Sequence, residues 1–464
     1  MITRKPLQFL SLIIACCICT GGLAEDTHAN AGQYIDKNIP MRERVQIEQR
    51  FWQWKRDNVL PAIMREQNVD LWIVRNDEEP LYRMTSYREH PVFTSLLPAN
   101  HEGMVMPSVY EDSVQDVPEF LFFYDTGDAI EYNEPQDIAA IIKLVQERDP
   151  KSIALSRNGS EALKKALGKK YAERTVDSWT LSVRWLETVT PEQISIYTYV
   201  QGLHNDIIAE GYSNAVVVPD VTTTDDLNWW FRQKYLDLDL EIENHPTVIV
   251  QRRPELVEKY NDPAGSFKNN RTRNGVNVII RRGDVISLDS DIMIMGVITD
   301  SHQHAYVLQD GETDVPDELK EALRLTNHMQ DEFRKSFVFG RTGKEIAADA
   351  KKVPHDPKII SSNLAFHPPP RFIRRFTENG LMFSRGSYVA GLSSGRGYKL
   401  HPVVGDRHKL YYNTMYAYEP HTRVRVTGWG EHGVELGLGQ MAVFTETGLH
   451  YLNRVQENAW HVVR

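Results

Sequence analysis

Arg282-Gly-Asp-Val-Ile-Ser-Leu-Asp-Ser-Asp291, followed closely by Ile298-Thr-Asp-Ser-His-Gln-His-Ala-Tyr-Val-Leu308, is the stretch of this chain densest in reactive side chains. Asp289 ends an apolar run that reads as a buried strand, and Asp300 opens a second run eleven residues later. A hairpin of that length sets the two carboxylates side by side. Paired carboxylates in a partly buried site repel, and one is driven towards its neutral form unless a cation lies between them. Two divalent ions some 3.5–4 Å apart would relieve that repulsion and generate a hydrolytic water. The alternative, two unrelated aspartates at strand ends, stays open on spacing alone. His302 and His304 occupy alternate positions of the second strand and so face the same side, as substrate-binding or proton-transfer groups or as hydrogen-bonded strand histidines.

Outward from this stretch the pattern is mixed. Towards the N-terminus, 41–67 has apolar residues at helical spacing, and strands are expected at 70–74, 120–124 and 152–155, with a helix at 161–172. That alternation predicts a small α/β layer domain over 40–187. Thr188-Val-Thr-Pro191 reads as the boundary, because Pro191 suits a first helical position. The second domain, 188–464, opens with a helix running to about residue 208, and a capping signal at Thr223-Thr-Asp-Asp226 starts another. Strands are expected at 216–218, 247–251, 276–280, 285–289, 305–308, 416–419, 434–438 and 442–444, and helices at 316–336 and 344–352. The whole is an α+β protein.

Composition limits the function classes. Of 464 residues, 41% are hydrophobic and 25% charged, which is the balance of folded globular chains. A formal charge of −10 without basic clusters argues against nucleic-acid binding. Residues 1–24 read as a cleaved secretory leader: Arg4 and Lys5, an apolar run Leu7–Cys19, and small residues ending at Ala24. The run is too short for a spanning helix, so no membrane span is expected, and a periplasmic or secreted destination follows. A lipid attachment at Cys16 is the lesser alternative, since Ile13-Ile14-Ala15-Cys16 loosely matches a lipobox. All three cysteines lie in this leader, so the mature chain has no thiolate nucleophile, disulfide or Cys-ligated metal. Any metal must be held by carboxylates and imidazoles.

The Asp289–Asp300 spacing resembles the first two metal ligands of the creatinase/aminopeptidase (pita-bread) family, which includes methionine aminopeptidase, Xaa-Pro aminopeptidase and prolidase. PEQISIYTYVQGLHNDIIAEGYSN, VTTTDDLNWWFRQ and TDSHQHAYVLQDGETDVP are similar to a bacterial subgroup of Xaa-Pro peptidases, and LPAIMREQNVDLWIV resembles its creatinase-like N-terminal domain. The likeness covers nearly all of the chain beyond the leader and implies a pita-bread C-terminal domain behind a smaller α/β domain. It implies five ligands: two aspartates, a histidine and two glutamates. Asp289 and Asp300 match the first pair, and Glu419, in Met415-Tyr-Ala-Tyr-Glu-Pro420, matches the first glutamate. Registering on Pro402 and Gly405 puts Tyr398 at the histidine position, with His401 three residues away as the nearest candidate. Registering on Thr445 and Gly448 puts Gly439 or Gln440 at the last glutamate, with Glu435 earlier in the chain. The dinuclear site is therefore expected to be incomplete.

Further expectations follow from the same resemblance. His304 matches the subgroup's Gln-His-Ala-Tyr, and His245 matches a histidine near its substrate pocket, with a turn histidine before Pro246 as an equal alternative. Trp229 and Trp230 are read as core, and His367-Pro-Pro-Pro370 as a polyproline-like loop. The implied activity is a peptidase-type hydrolase using Mn, Co, Zn or Fe, with a single ion or none as alternatives, acting on a peptide or small-molecule substrate. Homodimerisation is implied only by the relatives. Two other functions compete: a non-catalytic pita-bread binding protein, and a metal-independent creatinase-like amidinohydrolase with histidine as acid/base.

Overall fold

The computed structural model describes residues 39–75, 96, 119–155, 160–242, 245–263, 277–295, 297–367, 372–377, 380–385 and 408–464. The expected leader with Cys16, and Tyr398, His401, Pro402 and Gly405, lie outside them.

The N-terminal elements form one sheet. Helix Met41–Glu66 leads into β1 (Leu71–Arg75), followed by β2 (Phe120–Asp125), β3 (Ile130–Asn133), β4 (Ile153–Leu155) and β5 (Thr175–Asp177). Their order is β3-β2-β1-β4-β5, antiparallel on one side of β1 and parallel on the other. β1 alternates its core: Leu71 and Ile73 pack with Ile141 and Val145 on one face, Trp72 and Val74 with Ile63 and Trp185 on the other. Side chains buried on both faces explain why β1 reads as a continuous apolar run rather than an alternating one.

Helix Pro191–Gly211 starts as its sequence signals suggest. Thr190 accepts from Gln193 N and Gln193 returns a bond to Thr190 N, both at 2.9 Å, with proline at the first position. Helix Thr224–Asp237 carries the same reciprocal cap between Thr223 and Asp226.

Two sheets then frame the site. One, ordered β18-β10-β7-β6, is built from β6 (Thr247–Gln251), β7 (Val285–Ser290), β10 (Ser301–Val307) and β18 (His461–Val463), with the small hairpin β8 (Met293–Ile294) and β9 (Val297–Ile298) between β7 and β10. The other, ordered β11-β14-β16-β17, comprises β11 (Ile359–His367), β14 (Thr414–Val424), β16 (Gln440–Thr445) and β17 (Gly448–Tyr451); β15 (Val434–Gly437) pairs with the far half of β14. A separate hairpin joins β12 (Phe372–Thr377) to β13 (Gly380–Arg385).

The period of two along β7 separates packing from chemistry. Ile286 and Leu288 enter the core under helices 191–211 and 224–237, while Ser287 and Asp289 point the other way. Each buried aliphatic side chain of this kind contributes about 1.5–3 kcal/mol, which fixes the register and with it the carboxylate. β14 behaves likewise: Tyr416 and Tyr418 pack under helix Asp317–Phe333, leaving Glu419, His421 and Arg423 on the opposite face.

Two expected strands do not form. Residues 216–218 lie in a turn whose carbonyls and amides bond locally, Val217 N to Ser213 O at 2.9 Å. Of 277–280 only Ile279 pairs, in an isolated bridge with Thr223. Conversely, β11 was not anticipated: its alternation of polar and apolar residues is broken by Ser361-Ser362-Asn363.

Candidate metal centre

Asp289 and His302 sit opposite each other on β7 and β10, and Asp300 immediately precedes β10. The hairpin does what the eleven-residue spacing suggests: donor atoms of Asp289, Asp300 and His302 all lie within 4.8 Å of one another. His302 Nε2 is 3.3 Å from Asp289 Oδ1 and 3.6 Å from Asp300 Oδ1.

The opposing sheet supplies the rest. Glu419 projects from β14, and His367, the last residue of β11, lies on the same face one register step away, opposite Ala417. His367 Nε2 is 2.7 Å from Glu419 Oε1 and 3.4 Å from Asp300 Oδ2. His421, two residues beyond Glu419, turns its ring towards His302 with centroids 5.5 Å apart. Asp300–His367–Glu419 and His302–Glu419–His421 each bring three donor atoms within 4.8 Å. Three carboxylates and three imidazoles thus converge from four strands.

The electrostatics are those of a charge cluster taken out of water. Burial, and then the neighbouring Glu419, raise the pKa of Asp300, against the opposing effect of His367. Burial would neutralise His302, but Asp289, Glu419 and Asp300 overcome it and raise its pKa to about 10. Burial also opposes the charge on His367, yet Asp300 and Glu419 hold its pKa well above the usual histidine value. Glu419 is lowered to about 2: burial works against the charge, and His367 more than offsets it. His421 goes the other way, lowered by burial and by the neighbouring His302. Protons on the two imidazoles offset two of the three carboxylate charges, and the third is the one whose charge burial and Glu419 disfavour, Asp300.

A buried network fixes the two aspartates from behind. His204, on helix 191–211, meets Thr299 Oγ1 through Nδ1 at 2.8 Å and Ser290 Oγ through Nε2 at 3.0 Å, with Tyr235 Oη 3.1 Å from the same nitrogen. Ser290 follows Asp289 and Thr299 precedes Asp300, so one imidazole ties together both strand ends that carry the acids. Burial lowers its pKa to about 3, keeping it neutral and able to donate at one nitrogen while accepting at the other.

A groove of about 880 Å³ opens from the cluster between the two sheets. His421 and Arg423 of β14 line it, and Arg423 pairs with Glu435 Oε2 at 2.8 Å. Gln251, also in the lining, donates to Glu435 O at 2.7 Å and accepts from Glu435 N at 2.8 Å.

The residues expected from the sequence divide as follows. Asp289, Asp300, Glu419 and His302 come together. His304 lines the groove, but its two nitrogens meet Ser287 Oγ and Gly437 O, both at 2.8 Å, and burial lowers its pKa to about 3. His245 lies outside the groove, its ring 4.8 Å from that of Trp229 and its Nδ1 3.4 Å from Arg232; Trp229 itself is exposed, not core. Glu435 pairs with Arg423 instead of joining the acids. Sequence reasoning missed His367 and His421. His421 had a signal, since it shares the strand face of Glu419; for His367 the three following prolines pointed to a loop.

No protein-family profile matches this sequence, and no curated protein matches it. Among solved structures the chain is similar to an X-Pro aminopeptidase from Thermotoga maritima, with 15% identity, a TM-score of 0.46, and coverage of 87% of this chain and 100% of that one. It is also similar to a dipeptidase from Pyrococcus horikoshii, with 12% identity, a TM-score of 0.44, and coverage of 88% and 99%. A zinc-substituted aminopeptidase P from E. coli in complex with product aligns at 10% identity and a TM-score of 0.44, covering 91% and 96%.

Proposed function

We propose that this protein is an exported, metal-dependent hydrolase of the Xaa-Pro peptidase type, in which Asp289, Asp300 and Glu419, with His302 and His367, hold a divalent cation. The observation that carries this reading is the convergence of those side chains from four strands onto one partly buried point at the head of a groove.

The donor set fits such a cation. Carboxylates and imidazoles suit zinc, cobalt, iron or manganese, and three closely spaced, partly buried carboxylates require positive charge, part of which protons otherwise supply. When bound, the ion supplies Lewis acidity and lowers the pKa of water towards neutrality. His302 and His367 must release their protons to become donors, so uptake of the ion is coupled to pH. Asp289 and Asp300 are held in place by the hydroxyls that flank them on His204. His304 fastens Ser287 to Gly437 and so keeps the groove open beside the cluster. A peptide fits the groove, whose size is within the range of small-molecule sites and whose walls carry hydrogen-bonding groups such as Ser361, Asn363 and Arg423.

The ion pairs themselves favour a second reading. With His302 and His367 protonated, two of the cluster's three carboxylate charges are offset without metal, and an imidazolium acid remains beside carboxylate bases, as metal-independent amidinohydrolysis needs. The deciding experiment assays the purified protein on Xaa-Pro peptides and on amidine substrates, with chelator and then with manganese, cobalt or zinc restored. Peptide cleavage that chelation stops, that the ions restore, and that Asp289→Asn lacks supports the metallopeptidase. Amidine hydrolysis indifferent to chelator supports the second reading. Substrate binding without turnover in either assay makes it a binding protein.

A further inference from the structure

Leu438 is flanked by glycines, and each faces an imidazole of the cluster. A Cβ on Gly439 would lie 2.7 Å from His302 Cγ and 2.8 Å from His302 N. A Cβ on Gly437 would lie 2.6 Å from both Cε1 and Nδ1 of His421. Neither glycine has positive φ, so it is space and not backbone conformation that calls for glycine here. The backbone cannot retreat. His302 N donates to Gly439 O at 3.1 Å, and Gly437 N and O lie 3.0 and 2.8 Å from His304 Nε2. Any larger residue therefore displaces a ring.

We propose that His302, Glu419 and His421 form a nitrogen-rich subsite for a late first-row transition ion, and that Gly437 and Gly439 are the positioning residues that make room for its two imidazoles. This rests on the reading of the cluster as a cation site and adds which ion it selects and by what means. Two imidazoles and one carboxylate favour zinc, cobalt or nickel, whereas the oxygen donors of Asp289 and Asp300 suit manganese or magnesium. Nearly any nitrogen and oxygen site holds zinc more tightly than manganese. The diagnostic quantity is the part of that preference which the two glycines create.

The test is calorimetric titration of the metal-free full chain with Zn²⁺ and separately with Mn²⁺, on the wild type, Gly437→Ala, Gly439→Ala and His421→Gln, with circular dichroism to establish folding. The expected result is that each variant loses at least about tenfold in zinc affinity and several-fold less in manganese affinity. The visible spectrum of bound Co²⁺ should change in the same variants. Folded variants with unaltered zinc affinity, or with equal losses for both ions, overturn the proposal. If the alanine variants do not fold, unaltered zinc binding by His421→Gln overturns it alone. A wild type that binds neither ion overturns this subsite and the metal-dependent hydrolase together, whereas one that binds both ions with no effect of any variant overturns the subsite only.

Discussion

His367 Nε2 and Glu419 Oε1 lie 2.7 Å apart across the β11–β14 ladder, at the point where the second sheet meets the two aspartates of the first. The pair spends its charge on itself until a cation separates it. His367→Ala should therefore lower divalent-ion affinity by more than the ~10–100-fold typical of outer partners of a metal site. Equilibrium dialysis with zinc or cobalt measures it.

Removing a carboxylate should separate stability from function. Burial and Glu419 disfavour the charge on Asp300, so Asp300→Asn relieves repulsion in the metal-free protein. A gain of about 1 kcal/mol corresponds to a melting temperature ~1–2 °C higher in the presence of chelator, because the entropy of unfolding grows with chain length. The same variant should lose the stabilisation that added ions give the wild type. Thermal scans with and without metal test both halves.

The first half of this site was legible because its residues are neighbours in sequence. Asp289, Asp300 and His302 are joined by one hairpin, and the run that Asp289 ends and the run that Asp300 opens announce its two strands. Glu419 was reached through its motif. His421 follows from Glu419 by simple alternation, once β14 is known to extend to Val424. His367 was hidden for a physical reason: its partner Glu419 lies on a strand some fifty residues away, and no local pattern encodes a pairing across that distance. Gly439 looked like a deficiency in the sequence, whereas in the structure its missing side chain is the space that His302 fills. In the fold, the cap at Thr223 was readable because its bonds close within four residues, and Pro191 marked its helix start, while 216–218 carried strand-like valines into a turn.

Acid should destabilise the protein through its buried neutral histidines. His204 has a folded pKa of about 3, below its unfolded value near 6.5, so the unfolded chain binds the proton first as pH falls. Its stabilisation is complete above pH 6.5 and is lost progressively towards pH 3; His304 and His461, at about 3 and about 4, act in the same direction. His204→Gln should flatten the slope of stability against pH by up to about 1.4 kcal/mol per pH unit. Denaturant titrations between pH 4 and 7 read that slope, and an unchanged slope excludes His204 as the source.

Asp284, in the same stretch as the metal-binding acids, serves stability alone. It accepts from Arg252 Nε and Nη2 at 2.7 and 2.8 Å, with both side chains fully buried. Asp284→Ala leaves the guanidinium without its main counter-charge and should cost about 3–5 kcal/mol. Ion affinity of the folded fraction should stay that of the wild type, as titration below the lowered melting temperature would report.

The most direct test is a crystal soaked in Zn²⁺ or Mn²⁺ and measured at the metal's absorption edge. An anomalous peak among Asp289, Asp300 and Glu419, about 2.0–2.2 Å from their oxygens, with His367 drawn off Glu419, is the predicted result. Saturating ion with no peak there, and His367 still bonded to Glu419, would contradict it.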